Sequence, residues 1–323
     1  MWENEEYFDE EHAEADKELE RIIALIALIY HKAAEKVQKK ALKYMRDFDE
    51  QDKEKKRQYE QGIITYDAYK TWRMQMFSTS WYSQMSQDLS REVAQAKLTA
   101  AGVINKSIPK IYTGGFNWSW YSVQREAKKS FGYRPIVNTK TMVKLMQNAR
   151  LLPSYVTIDE MLAVSRNQKY LNTAVMQGLV KGESVPDIAK RISVVMPNND
   201  MNASVRTART MITAAENAGR YEAGLDMQSK GIEISREWVA TLDDRTRHEH
   251  RVLDGQIKKF PEPFEVDGET LRFPADPLAS PYLVFNCRCT TRNHYKGISG
   301  YEDYRSDAYI DGVPYNDWKK EGV

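Results

Sequence analysis

From Ile22 the apolar positions recur at Ile22, Ile26, Ile29, Ala33, Val37, Ala41, Tyr44 and Phe48, with lysines filling the turns between them. Steps of three and four put these side chains on one helix face, so the pattern predicts an amphipathic helix. The charge-dense stretch "RDFDEQDKEKKRQYEQG" that follows is expected as a solvated turn or an exposed helix end. A second long helix is expected from Tyr66 to Ala101, with Trp72, Met76, Trp81, Met85, Leu89 and Val93 as its buried stripe. After "LLPS", Thr157 and Glu160 have capping-box spacing, and Ser184 with Pro186 should cap and open a short helix. "MPNND" is expected to interrupt the chain before a long helix, "NASVRTARTMITAAENAGRYEAGLDMQSKG", closed by Gly231.

At Gly231 the period changes. "IEISREWVAT" alternates as a strand does, "FEVDGETLRF" carries Asp267-Gly268 between short β-prone runs as a hairpin would, and "YLVFNCRCTTR" is a third strand-like run. The fold class that results is α+β, predominantly α. Its expected parts are a helical N-terminal domain over 1–153, a helical array over 154–231, a small β-containing module over 232–294 and a polar tail over 295–323.

Charge changes this picture in one place. The formal net charge is only +1, yet residues 96–153 hold ten Lys or Arg against a single acid, Glu126. Tyr112, Phe116, Trp118, Trp120, Tyr121, Phe131 and Tyr133 are interleaved among these cations. Basic side chains displace counterions from phosphates, and aromatic faces stack on bases. Lys106, Lys110, Arg125, Lys128, Lys129, Arg134, Lys140 and Lys144 are therefore candidate nucleic-acid contacts. The alternative is a helical domain whose aromatics are buried and whose lysines are merely hydrated. The first twenty residues are acidic, and either pair with the basic face starting at Lys32 or guide the chain to a partner.

The apolar run "IIALIALIY" is far short of the ~20 residues a membrane span needs, and the acidic N-terminus does not resemble a signal peptide. Two cysteines exclude a disulfide-stapled secreted scaffold, so an intracellular chain is expected.

Those two cysteines stand one residue apart, and three of the five histidines (His248, His250 and His294) share their region. If "DDRTRHEHRVLDGQ" were helical, Asp243, Arg247, His250 and Asp254 would share one face. On a strand, Cys287 and Cys289 would point the same way with Cα atoms ~6.5–7 Å apart, at the edge of disulfide range. One reading is a structural zinc held by His250, Cys287 and Cys289, with Asp254, His248 or His294 as fourth ligand. The other is a packed hydrogen-bonded network with inert thiols. A third reading, a nuclease or toxin-like enzyme, makes His250 a general base oriented by Asp243 or Asp254, with Arg247 on a phosphate. No Gly-rich phosphate loop or nucleophile elbow accompanies it, so the chain is expected not to be an enzyme.

"WVATLDDRTRHEHRVLDGQ", the Asp-Gly hairpin, "FPADP" and "NCRC" together resemble the phage Mu F-like head morphogenesis family, the minor head proteins of tailed phages. The matching positions are Trp238, Asp243, Arg245, Thr246, Arg247, His250, Asp254, Gly255, Gln256, Pro274, Asp276, Pro277, Asn286, Cys287, Arg288 and Cys289, preceded by Arg206, Arg209, Thr210 and Asn217. The resemblance implies a virion protein at the portal and capsid interior, present in the host cytoplasm during assembly. It implies the phage portal protein as partner, with scaffolding or major capsid protein and double-stranded DNA as further ones. A role in head morphogenesis and in DNA packaging or delivery follows from the same likeness.

Overall fold

The computed structural model describes residues 9–75, 79–132, 160–298 and 313–321, without the side chains of 47, 160–166, 168 and 298. Arg134, Lys140, Lys144, Tyr133, Met76 and Thr157 lie outside the described residues. The described part is mostly helical, with one small antiparallel module near its C-terminal end, as the periodicity requires.

The first helix, α1, spans Glu10–Glu60. Its buried stripe is Ile22, Ile26, Tyr30, Ala33, Val37, Ala41, Met45 and Phe48. Tyr30 and Met45 are buried in place of Ile29 and Tyr44; the average step is the same, and only the order of the three- and four-residue steps differs. The helix runs to Glu60, so the charge-dense segment is an exposed helix end and the turn comes only after it.

The expected single helix over 66–101 is instead two, α2 at Tyr66–Met74 and α3 at Ser80–Ala127. Thr65 caps α2 by accepting from the Ala68 N–H at 3.1 Å. Next come α4 at Glu160–Val180 and α5 at Val185–Ser229. The expected interruption at "MPNND" is absent, since α5 passes through Pro197. Proline removes one N–H and crowds one carbonyl. Here Ile192 and Met196 are fully buried, and the Asn199 amide donates back to the Val195 carbonyl at 2.8 Å. Tertiary burial outweighs the proline.

The chain divides into two compact units. One comprises residues 23–103 and 154–205. In it Arg73 and Asp52 form a buried ion pair at 3.0 Å, and the Tyr69 hydroxyl donates to the same carboxylate at 2.9 Å. Tyr82 reaches Asn172 at 3.0 Å, and Tyr30 and Ser204 share a buried hydrogen bond at 2.9 Å.

The other unit comprises residues 1–22, 104–153 and 206–323. Within it α3 and α5 touch backbone to backbone. A Cβ on Gly115 would lie 2.2 Å from the Glu216 carbonyl oxygen, and one on Gly219 would lie 2.1 Å from that of Tyr112. Only glycine permits this approach. The acidic start of α1 is tied to this unit: Asp9 pairs with Arg220 at 2.9 Å, Glu11 with Lys319 at 3.5 Å and His12 with Glu216 at 2.9 Å.

The β module belongs to the same unit. β1 (Ile232–Val239) lies between β2 (Ile257–Lys259) and β5 (Thr290–Ile298), both antiparallel to it. β3 (Phe264–Val266) and β4 (Glu269–Leu271) form the expected hairpin. Asp267 and Gly268 take φ values of 51° and 77°, the double left-handed turn that Asp-Gly favours. Short helices α6 (His248–Leu253) and α7 (Pro281–Val284) fill the connections. The expected strand over 282–292 begins only at Thr290; Tyr282–Val284 is helical and the cysteines lie in irregular backbone. Residues Tyr315–Glu321 form α8, with Trp318 fully buried beside Tyr121.

Candidate metal centre

Trp238 on β1 is the floor of the module, fully buried, with its indole edge-on to His250 at 5.9 Å and to Phe264 at 5.2 Å. The turn after α6 locks this strand. Trp238 N–H donates to the Gln256 carbonyl, and Gly255 N–H donates back to Trp238, each at 2.9 Å. Gly255 needs φ of 73°, and Asp254 accepts from Ala240 N–H at 2.8 Å. These contacts account for the "DGQ" run. In "FPADP", the buried Asp276 carboxylate accepts from the Arg272 guanidinium at 2.7 and 2.8 Å and from two backbone N–H groups.

The cysteine segment has no strand partner before Thr290, so its backbone groups are satisfied otherwise. One face of α5 supplies them. Thr210 accepts from Asn286 N–H at 3.1 Å, Thr213 donates to the Cys287 carbonyl at 2.8 Å, Asn217 to that of Cys289 at 3.1 Å and Arg220 to that of Thr291 at 3.0 Å. Their spacing, three to four residues per step, follows one helix stripe. From the other side Thr241 donates to the Arg288 carbonyl at 2.7 Å, and Arg247 donates to that of Phe285. Asn286 takes φ of 57°, a value asparagine tolerates, and this turn aims both following thiols inward.

His250, Cys287 and Cys289 converge, all nearly inaccessible to solvent, with one ligand atom from each within 4.8 Å of the others. The His250 Nε2–H donates to the Leu283 carbonyl at 2.9 Å, since a carbonyl can only accept. That bond leaves Nδ1 unprotonated in the neutral ring. Nδ1 sits 3.3 Å from the Cys289 sulfur and 3.8 Å from that of Cys287. Burial pushes the Cys287 thiol well up, whereas its hydrogen bond to Cys289, aided by His250, draws Cys289 down. One imidazole nitrogen and two sulfurs can hold a borderline-soft divalent cation, and they do not suit magnesium or calcium.

The other sequence-derived residues sort around this triad. Asp243 grips the Arg288 guanidinium through two bonds of 2.6 Å, which hold its carboxyl well below the usual range. It also accepts from Arg245 N–H at 2.9 Å, while the exposed Arg245 guanidinium lies 3.6 Å away. Only His248–Leu253 is helical, so Asp243, Arg247 and Asp254 flank that turn and do not share a helix face with His250. His248 is exposed, and His294 pairs with Glu237 and Glu126. Asp254, His248 and His294 are thus outside the triad. Neither Asp243 nor Asp254 orients His250, so the dyad needed for a general base is not formed.

Beside the triad is a cavity of about 270 Å3 lined by Arg209, Arg245, Arg247, Arg288 and Asn286, with His250 and Cys289 in its wall. In the basic segment, Lys106, Lys110, Arg125, Lys128 and Lys129 are exposed, but Tyr112, Phe116, Trp118, Trp120, Tyr121 and Phe131 are buried. Base stacking by those six rings is therefore excluded, and they are core. The sequence reading missed Thr213, Glu216 and Arg220; their three- to four-residue spacing along "RTMITAAENAGR" was the available signal. No helix among the described residues is long and apolar enough to cross a membrane.

Comparison with known proteins places these features. The chain is 27% identical over 217 residues to the NAD(+)–arginine ADP-ribosyltransferase EFV of Enterococcus faecalis, covering 65% of this chain and 42% of that protein. It is 26% identical over 231 residues to minor head protein GP7 of Bacillus phage SPP1, covering 69% and 73%. An uncharacterised protein of Haemophilus influenzae is 31% identical over 134 residues, 40% of this chain and 26% of that protein. This chain therefore spans less than half the length of two of these relatives. No solved structure matches it. Residues 169–292 match the family described as Phage Mu protein F like protein, and the triad, the Asp243–Arg288 pair and the α5 stripe all fall inside that span. Over this region the chain is similar to the Phage Mu F-like family.

Proposed function

We propose that this chain is a phage minor head protein that acts in head assembly at the portal and capsid interior. The observation that carries the proposal is the match to minor head protein GP7, which extends over 73% of that protein and 69% of this chain. The chemistry of the module supports a structural role. Both ring nitrogens of His250 face buried partners, and Asp243 is held by Arg288. The partners that fit this reading are the portal protein and, beyond it, scaffolding or major capsid protein, with the mature virion as location. Purified particles and a pull-down with the cognate portal protein test it; absence from both refutes it.

Contact with packaged DNA belongs to the same proposal, through charge alone. Lys106, Lys110, Arg125, Lys128 and Lys129 are exposed. Replacing Lys128 and Lys129 by alanine should flatten the salt dependence of DNA affinity by about 0.9 log unit per lost phosphate contact. An unchanged slope removes this face from the proposal. The enzyme reading draws on the match to the ADP-ribosyltransferase of Enterococcus faecalis. Transfer of labelled ADP-ribose from NAD to an arginine acceptor by the purified chain would establish it in place of the purely structural role.

A further inference from the structure

We infer that His250, Cys287 and Cys289 bind one divalent cation of the zinc class, and that its fourth coordination position opens on the arginine-lined cavity, where a phosphate-type oxyanion completes the shell. This inference stands on the geometry of the triad and is independent of the head-protein reading.

Three observations carry the cation. The tautomer is set by Leu283, which takes the Nε2 proton and turns the bare Nδ1 lone pair toward both sulfurs. The spacing fits: zinc bonds of about 2.3 Å to sulfur and about 2.05 Å to nitrogen, at the tetrahedral angle, put sulfur and nitrogen about 3.6 Å apart. The observed separations of 3.3 and 3.8 Å bracket that edge. Finally, the Cys289 N–H points at the Cys287 sulfur at 3.5 Å, a donor suited to sulfur that carries negative charge. Two thiolates and a dication sum to zero, which makes the site tolerable in a fully buried position.

The open position follows from what surrounds the triad. Among the described residues no fourth His, Cys or carboxylate joins the cluster. Asp243 is held by Arg288, Asp254 by Ala240, and His294 by Glu237 and Glu126. The cavity reaches His250 and Cys289, and four guanidinium groups line it; Arg288 and Arg245 share the Asp243 carboxylate, whereas Arg209 and Arg247 pair with no carboxylate among the described residues. Arg209, half-buried in that wall, has no polar partner among the described residues. Four guanidinium groups around one carboxylate leave an excess of positive charge, and guanidinium forks suit the oxygens of phosphate.

The test uses the full chain loaded with cobalt or zinc. The expected result is one cobalt per chain, sulfur-to-cobalt charge-transfer absorption and four-coordinate ligand-field bands. X-ray absorption of the zinc form should show two sulfurs and two lighter atoms, which needs no variant. Inorganic phosphate and a short DNA oligonucleotide are then added in separate arms. A band shift by both assigns a backbone-type phosphate, and a shift by inorganic phosphate alone assigns a free anion. In either case Arg209→Ala should weaken the anion about tenfold or more while metal stoichiometry stays at one per chain. Failure to load metal, or a shell without sulfur, overturns the cation site. Bands unmoved in both arms, or moved equally in Arg209→Ala, overturn the open position.

Discussion

Replacing His12 by glutamine should remove about 2 kcal/mol of the stability that this protein loses between neutral and alkaline pH. His12 is on the first turn of α1, 2.9 Å from the fully buried Glu216, which also holds Arg220 at 2.6 Å. The Glu216 carboxylate raises the imidazole from 6.5 to about 9 against the opposing effects of burial and of Arg220, with Asp16 adding a little. Glu216 itself is pushed up by burial, but His12 and Arg220 outweigh that and hold it down to about 2. A raised folded-state pKa means the unfolded chain binds fewer protons in the interval between the two values. The stabilisation is therefore complete below about pH 6.5 and is lost as pH rises through about 9. The shift corresponds to about 3 kcal/mol in full, of which about 2 kcal/mol is lost between about pH 7 and about pH 9.5. Urea unfolding followed by tryptophan fluorescence at both pH values, in wild type and His12→Gln, gives the double difference in which other titrations cancel. Glu216→Gln should abolish the same pH dependence, because it removes the charge that raises the imidazole. Parallel pH profiles in wild type and His12→Gln would refute the reasoning.

Gly219→Ala should destabilise the unit by about 1–3 kcal/mol, since its Cβ would meet the Tyr112 backbone and neither helix can yield locally. Gly115→Ala should cost a similar amount, and the double variant less than the sum, measured as thermal midpoints, because one displacement of the helices relieves both clashes. Thr213→Val keeps shape but leaves the buried Cys287 carbonyl without its donor, a loss of about 1–3 kcal/mol in the same assay. Arg236, buried within 4.9–5.1 Å of the Tyr221, Phe260 and Phe264 rings, is lowered to about 10 by burial and donates to the Arg272 and Glu262 carbonyls. Arg236→Lys, which cannot fork between two carbonyls, should lower the unfolding midpoint; an unchanged midpoint would remove the fork from the argument.

The helical periods of α1, the Asp-Gly hairpin and the β1 alternation were all legible, because each is a local pattern whose period matches its structure. One helix boundary and one strand boundary were not. Pro197 signals a stop, yet burial of Ile192 and Met196 carries α5 through it. The segment 282–292 reads as β by composition, but its backbone is satisfied by Thr210, Thr213, Asn217 and Arg220 in place of a neighbouring strand. Interleaving of aromatics with cations over 96–153 was equally compatible with stacking surface and with core. Burial of six rings excludes the first.

By itself, the order of residues determined that His250, Cys287 and Cys289 belong to one module, since unusual residue types cluster there and the "NCRC" motif accompanies them. It also determined the class of fold, because helical and alternating periods fall in separate stretches. Tertiary structure alone decided which donors join the triad. Asp254, His248 and His294 are equally near in the chain, but each is committed to another partner or to solvent. Ligand geometry depends on directions of a few side chains fixed by long-range hydrogen bonds, such as His250 to Leu283 and Thr213 to Cys287. A linear pattern carries no information about such directions until packing supplies them.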